Sequence, residues 1–239
     1  MWSFANPNKF MRVSGYILPV AASIAILLFA YGIYQGLYVV PPERVQGDSA
    51  RIIFVHVPAA AMSIMVYMMM CTCSLFALIW RHPVADLSAK AAAPIGAAFT
   101  LLALVTGALW GYPTWGTWWV WDARLTSELI LFFFYIGYIA LWDAFDDESK
   151  AAPAAAIFCL VGSIFAVLAK YSVELWETLH QPPSLSITGE RNVDDVFRTP
   201  LLAMMAAFGL YFLSVWLVRV RTEIRARRVK AIRLAAARE

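Results

Sequence analysis

The sequence predicts an all-α integral membrane protein, a six-transmembrane-helix bundle with both termini on one face, built as a single membrane domain over residues 1–239. Three observations predict it. Of 239 residues, 62% are hydrophobic and only 15% charged. The apolar residues gather in runs of roughly 20, the length that crosses a hydrocarbon core. Six such runs can be marked, and an even number returns the chain to its starting face.

The first run, about 16–39, follows only Lys9 and Arg12. It is longer than a signal-peptide core, and "YVVPPERV" after it lacks a convincing small-residue cleavage site, so it reads as a helix. The second, 52–80, ends at "WRHPVAD", where His82 reads as an interfacial polar cap. The third and fourth cover 92–110 and 125–142, the fourth being the shortest; the fifth and sixth cover 154–176 and 200–220. Charge orients them. With cytoplasmic termini, thirteen Lys/Arg fall inside and six outside, the sense favoured by the positive-inside rule. The acidic 143–152 loop counts little in that rule. The outer face then receives 40–51, a tryptophan-rich segment at 111–126 and a long loop at 171–198, while 219–239 forms a basic cytoplasmic tail, read as a solvated extension of the last helix.

No G-x-x-x-x-G-K-[ST] or G-x-G-x-x-G is present, so the chain lacks those devices for ATP or a dinucleotide. Nothing in it calls for a nucleic-acid partner or a catalytic residue, and whether it is an enzyme stays open. Gly32 with Gly36, and Gly107 with Gly111, have small-residue spacing suited to close helix approach. Cys71, Cys73 and Cys159 lie in apolar spans and read as packing residues.

His56 sits about five residues inside the outer end of the second span, a depth at which an imidazole needs a partner, a cavity or a ligand. His180 ends "YSVELWETLHQPP". A fifth helix continued to residue 180 would reach roughly 40 Å, projecting His180 beyond a core of about 30 Å and placing it on one face with Trp176. Two histidines on one face beside clustered aromatics suggest a planar ligand with a metal at its centre, since haem iron takes axial imidazoles from opposite sides. The stretch "WGTWWVWDARLTSEL", 115–129, holds four of the ten tryptophans. If helical, it puts Trp115, Trp118, Trp119 and Asp122 on one face, where indoles can stack on a macrocycle. Arg124, or Arg44, Arg51 or Arg191, offers a partner for propionates. The same residues also fit an interfacial aromatic belt, with Asp122 capping the fourth helix and Arg124 pairing Glu128 one turn on.

That stretch, with "HVP" and "TLHQP", resembles the tryptophan-rich WWD signature of the cytochrome c maturation protein C family, also called haem exporter protein C, and the resemblance covers essentially the whole chain. It implies a protein of the bacterial inner membrane that binds haem b at the periplasmic face and presents it to a periplasmic haem chaperone (CcmE type). It also implies ABC transporter subunits (CcmA and CcmB type), a small one-span subunit (CcmD type) and membrane lipid as neighbours. By the same resemblance, His56 and His180 are the iron ligands, and the tryptophan-rich motif maps to Trp115, Trp118, Trp119, Trp121, Asp122 and Arg124. Synthetase-type haem lyases share the motif but are longer, with more histidines. A haem permease would line a transmembrane path with polar groups, whereas these spans hold little charge beyond Glu128 and the end residues Lys170 and Glu174. An electron-transfer cytochrome would place histidine pairs in the bundle core.

Overall fold

The computed structural model describes residues 6–82, 84–176, 178, 180 and 193–237. Among these, six helices are long and apolar enough to cross a membrane. They are α1 (Pro7–Tyr34), α2 (Ile53–Trp80), α3 (Ala85–Trp115), α4 (Ala123–Asp143), α5 (Glu148–Leu175) and α6 (Asp195–Ala236). The six-helix expectation holds, including the short fourth span.

Local chemistry sets the helix ends. Asn6 caps α1 by accepting from Asn8 N at 2.9 Å, with Pro7 in the first turn, where a missing N–H costs nothing. At its other end α1 runs into a π-turn, Gln35–Val39, and the Arg51 guanidinium takes up the freed carbonyls of Gly36 and Leu37 at 2.6 and 2.9 Å. Arg51 also pairs with Asp48, so this arginine is engaged in closing the α1–α2 connection. Arg44 is exposed, and Arg191 lies outside the described residues.

Helices α2, α3, α4 and α5 pack around a shared core, while α1 rests chiefly on α6. Small residues let the helices close up: Ala91, Ala92 and Ala93 of α3 are fully buried, and a Cβ at Gly32 would meet Met204 Sδ at 2.6 Å. Gly36 likewise receives Phe54, so the Gly32 and Gly36 pair serves packing. At mid-height Tyr67 and Tyr135 meet edge to face at 5.0 Å and are completely buried. Their hydroxyls donate to the carbonyls of Cys159 and Ser63. Cys71 and Cys159 touch at 3.6 Å between α2 and α5, consistent with packing thiols.

The 42 residues of α6 make a rod of about 63 Å, twice a hydrocarbon core. Its basic extension is only partly solvated. Arg219 and Arg221 donate to the carbonyls of Ala91 and Met11, Lys90 pairs with Glu223 at 2.9 Å, and Arg227 bridges Asp86 and Glu148. These contacts clasp α1, α3, α5 and α6 at the end of the bundle that carries the termini. Two tryptophans pack beside this clasp, Trp142 buried and Trp216 partly buried. Trp142 is 7% exposed beneath the Lys90 ammonium, and Trp216 Nε1 donates to Ser88 O. His82 Nδ1 accepts from Val84 N just before α3.

Candidate functional site

The opposite end of the bundle holds the sequence-predicted residues. α3 stops at Trp115 because Gly116 adopts φ 76°, a left-handed conformation that glycine takes without a Cβ clash, and its N–H closes onto Tyr112 O. α4 starts at Ala123 because the Asp122 carboxylate accepts from Leu125 N at 2.8 Å. Residues 117–122 are therefore not helical, and the strip of Trp115, Trp118, Trp119 and Asp122 on one helix face does not form. Asp122 is the cap that the alternative reading gave it. Thr117 Oγ donates to Trp119 O and holds the linker folded.

The linker sorts its indoles. Trp119 turns into the bundle, with its Nε1 buried and unpartnered among the described residues. Trp118 stacks on Tyr112 at 4.4 Å and 14°, and stays half exposed. Trp121 meets Trp119 edge-on at 5.5 Å but is 76% exposed. Trp115 turns towards His180, ring centres 5.3 Å apart.

His56 stands on the first turn of α2 with its Nδ1 3.1 Å from both Ala103 O and Thr106 Oγ1. A carbonyl only accepts, and the Thr106 proton already goes to Leu102 O at 2.6 Å. Nδ1 must therefore carry the ring proton, which leaves Nε2 with its lone pair free. Trp110 abuts the ring edge-on at 5.7 Å and is itself held through Nε1 by Gln46 Oε1. Gly107 makes the remaining room: a Cβ there would come within 3.0 Å of His56 Cε1.

His180 does not project on a long helix. α5 ends at Leu175, Trp176 is extended at φ −136°, and the chain returns to the bundle, so Trp176 and His180 share no helix face. His180 N donates to Thr178 Oγ1, and the imidazole comes to 6.3 Å from that of His56, the planes inclined by 43°. Its Nδ1 is buried with no hydrogen-bond partner among the described residues. Burial, then the Arg124 charge and His56, push its pKa down to about 3, so the ring is neutral and ligand-competent at ordinary pH.

These groups line one cleft. His56 and Ala60 come from α2; Ala103, Leu104, Gly107 and Ala108 from α3; Arg124, Leu125 and Glu128 from α4; Trp119 and His180 complete it. Arg124 is steered by donation to Ala169 O on α5 at 3.0 Å, while Glu128 turns to Ser63 Oγ on α2 at 2.5 Å rather than to Arg124. The structure thus gathers His56, His180, Trp119 and Arg124 around one space, with Trp115 behind His180. Sequence reasoning missed Gly107 as the seat of His56, the Ala103–Thr106 acceptor pair and the cleft position of Glu128. Only Glu128, an acid in a membrane span, gave a visible signal.

Fold and site define a multi-pass membrane protein with a histidine-paired, tryptophan-walled cleft at one end of its bundle. The chain belongs to the Heme exporter protein C (CcmC) family, whose model matches residues 1–235. It is 51% identical over 233 residues to Heme exporter protein C of Paracoccus denitrificans, covering 97% of this chain and 96% of the relative. With that of Rhodobacter capsulatus the identity is 49% over the same coverage, and with that of Escherichia coli K12 it is 42% over 228 residues, 94% and 92% of the two chains.

Proposed function

We propose that this protein handles haem in cytochrome c maturation, holding haem b in the cleft between His56 and His180 and presenting it at the periplasmic face of the bacterial inner membrane to a haem chaperone. One observation carries the reading. Two imidazoles that ligate one metal from opposite sides, each at about 2 Å, have ring centres roughly 6 Å apart. His56 and His180, 124 positions apart in the chain, stand 6.3 Å apart. Both are prepared for a metal: His56 by a tautomer that bares Nε2, His180 by a neutral ring with an orphaned nitrogen.

The rest of the cleft suits the same cargo. Small side chains on α3 line the cleft, and Trp119 offers an indole with a spare N–H. Arg124 is the cation for a propionate. The exposed Trp118 and Trp121 then face the partner rather than the cargo. Transporter subunits and a small one-span protein are the neighbours that the family resemblance implies; energy from ATP would enter through them, since this chain has no nucleotide-binding motif.

His56→Ala and His180→Ala test the assignment. Each variant retains less haem after purification and shifts its optical spectrum, and external imidazole partly restores both by filling the vacated position. His82→Ala, at the far end of the bundle, leaves both unchanged. Native haem content and spectra in both single variants would refute the pair as ligands.

A further inference from the structure

We propose that the groove between α1 and α6, at the end of the bundle that carries the termini, binds the headgroup of an anionic phospholipid through Arg12, Arg221, Arg225 and Arg228. The charges at this end are sorted by side. Where α6 meets α3 and α5, cations meet acids: Lys90 pairs with Glu223, and Arg227 with Asp86 and Glu148. The α1 side has no acid to offer, since no Asp or Glu precedes Glu43 in the sequence and Glu223 is committed to Lys90. Positions 221, 225 and 228 recur at helical spacing and share the face that α6 turns to α1. Antiparallel packing sets their levels. Arg221 donates to Met11 O and Ser14 Oγ, and Arg228 to Asn8 Oδ1, so Arg12 and Arg225 stand between those two rungs.

These arginines keep donors to spare. Arg221 spends only Nη1 and Arg228 only Nη2, each on neutral acceptors that cancel no charge. Arg12 and Arg225 are exposed and bond nothing among the described residues. A guanidinium presents its N–H groups in a fork that matches a phosphate, and phosphate carries the charge this strip lacks. The strip also lies at the right depth. Arg12 is the last charge before the uncharged run 13–40, and Arg219 is the first after the uncharged run 199–218, so the strip begins where both spans leave hydrocarbon. From Arg221 to Arg228 it rises roughly 10 Å, enough to cross a headgroup layer of about 5–8 Å. Gly15 keeps the groove open beside Arg221, for a Cβ there would meet only Arg221 Nη1, at 3.5 Å. One turn towards the apolar side, Tyr16 follows Arg12 and Val218 precedes Arg221, both exposed for an acyl chain. That continuity of cations with apolar surface fits a lipid, whereas an acidic protein segment would need the cations alone.

Native mass spectrometry of the full-length protein in detergent tests this, with phosphatidylglycerol, phosphatidylcholine and inorganic phosphate titrated separately. Phosphatidylglycerol binds the native protein; phosphatidylcholine, whose headgroup has no net charge, binds about tenfold more weakly or worse. Inorganic phosphate at the same concentrations does not displace the lipid, because it has no chain to seat on Tyr16 and Val218. A basic side chain at the membrane surface contributes about fivefold to such binding, so Arg12→Gln combined with Arg225→Gln weakens it roughly 25-fold. Neither residue bonds within the described protein, so the double variant folds. Lys230→Gln combined with Arg233→Gln removes the same charge from other faces of α6, and shifts affinity by no more than about twofold. Undiminished phosphatidylglycerol binding in the Arg12 and Arg225 variant, the result expected of a strip that serves an acidic protein segment, overturns the proposal. So do equal losses in the two double variants, equal binding of phosphatidylcholine, displacement by inorganic phosphate, or no lipid on the native protein.

Discussion

Gly107 allows the seat of His56 to be tested without touching either histidine of the cleft. A methyl group there would lie 3.0 Å from His56 Cε1 and 3.5 Å from Nδ1. Comfortable carbon contacts need about 3.5–4.0 Å, so the imidazole must retreat by roughly half an ångström. Retreat stretches the 3.1 Å bond from Nδ1 to Ala103 O to about 3.6 Å, past hydrogen-bonding range. The loss is about 1 kcal/mol for the bond, and misdirection of Nε2 adds a similar amount. Together these lower haem affinity by roughly tenfold or more, since each 1.4 kcal/mol is a factor of ten. Titration of haem into detergent-solubilised Gly107→Ala, followed by absorbance, measures it, and the spectrum shifts with the altered ligand angle. Gly209→Ala is the control: nothing lies within 4 Å of that Cβ, and a helical alanine is favoured over glycine by about 0.5–1 kcal/mol, so affinity is unchanged and thermal stability holds or rises. Native affinity and spectrum in Gly107→Ala would show that His56 is not seated as described.

Two further variants probe the ends of the bundle. Asp122→Ala removes the cap on Leu125 N and costs about 1 kcal/mol, whereas Asp122→Asn keeps an accepting oxygen and loses less; thermal unfolding in detergent ranks native above Asn above Ala. Equal melting in both would mean the cap contributes nothing. Arg227→Met breaks the bridges to Asp86 and Glu148; each partly exposed pair contributes about 0.2–1 kcal/mol, so the melting point drops at low salt and the gap to native narrows at high salt. A gap that ignores salt would point to lost packing instead.

The spans were legible because hydrocarbon imposes one requirement, a long apolar helix, and composition alone reveals it. The helix ends were legible where a residue type enforces them. Gly116 and Asp122 are a stop and a start signal six positions apart, enough to separate α3 from α4, and a helix drawn through them overlooked that punctuation. The end of α5 at Leu175 carries no such mark, and Pro182 was the nearest visible breaker. What turns the chain at Trp176 is tertiary: His180 packs on Trp115 and His56, contacts that no local pattern encodes. Trp142 and Trp216 show the same limit of local pattern. Tryptophan near a span end suits the interface, but here Trp142 lies under the Lys90 ammonium and Trp216 bonds Ser88 O, partners on α3 that no local pattern encodes.

Side chains pack closely beneath the cleft, which bears on the proposal that haem enters it. Below Glu128 and Ser63 stand Leu131, Tyr135, Tyr67 and Met70, all with no exposed surface. Opening a way through this layer means breaking the bonds of Tyr135 to Ser63 O and Tyr67 to Cys159 O. Each buried group left unpaired costs about 1–3 kcal/mol, before the loss of packing between two interlocked tyrosines is added. A permease would have to meet that cost in every cycle. A protein that receives haem at its histidine end and yields it from the same end meets none of it. On the haem reading proposed above, the packed layer has a positive use: it backs the histidine end of the cleft from below, while Trp118 and Trp121, exposed above, remain available to a partner.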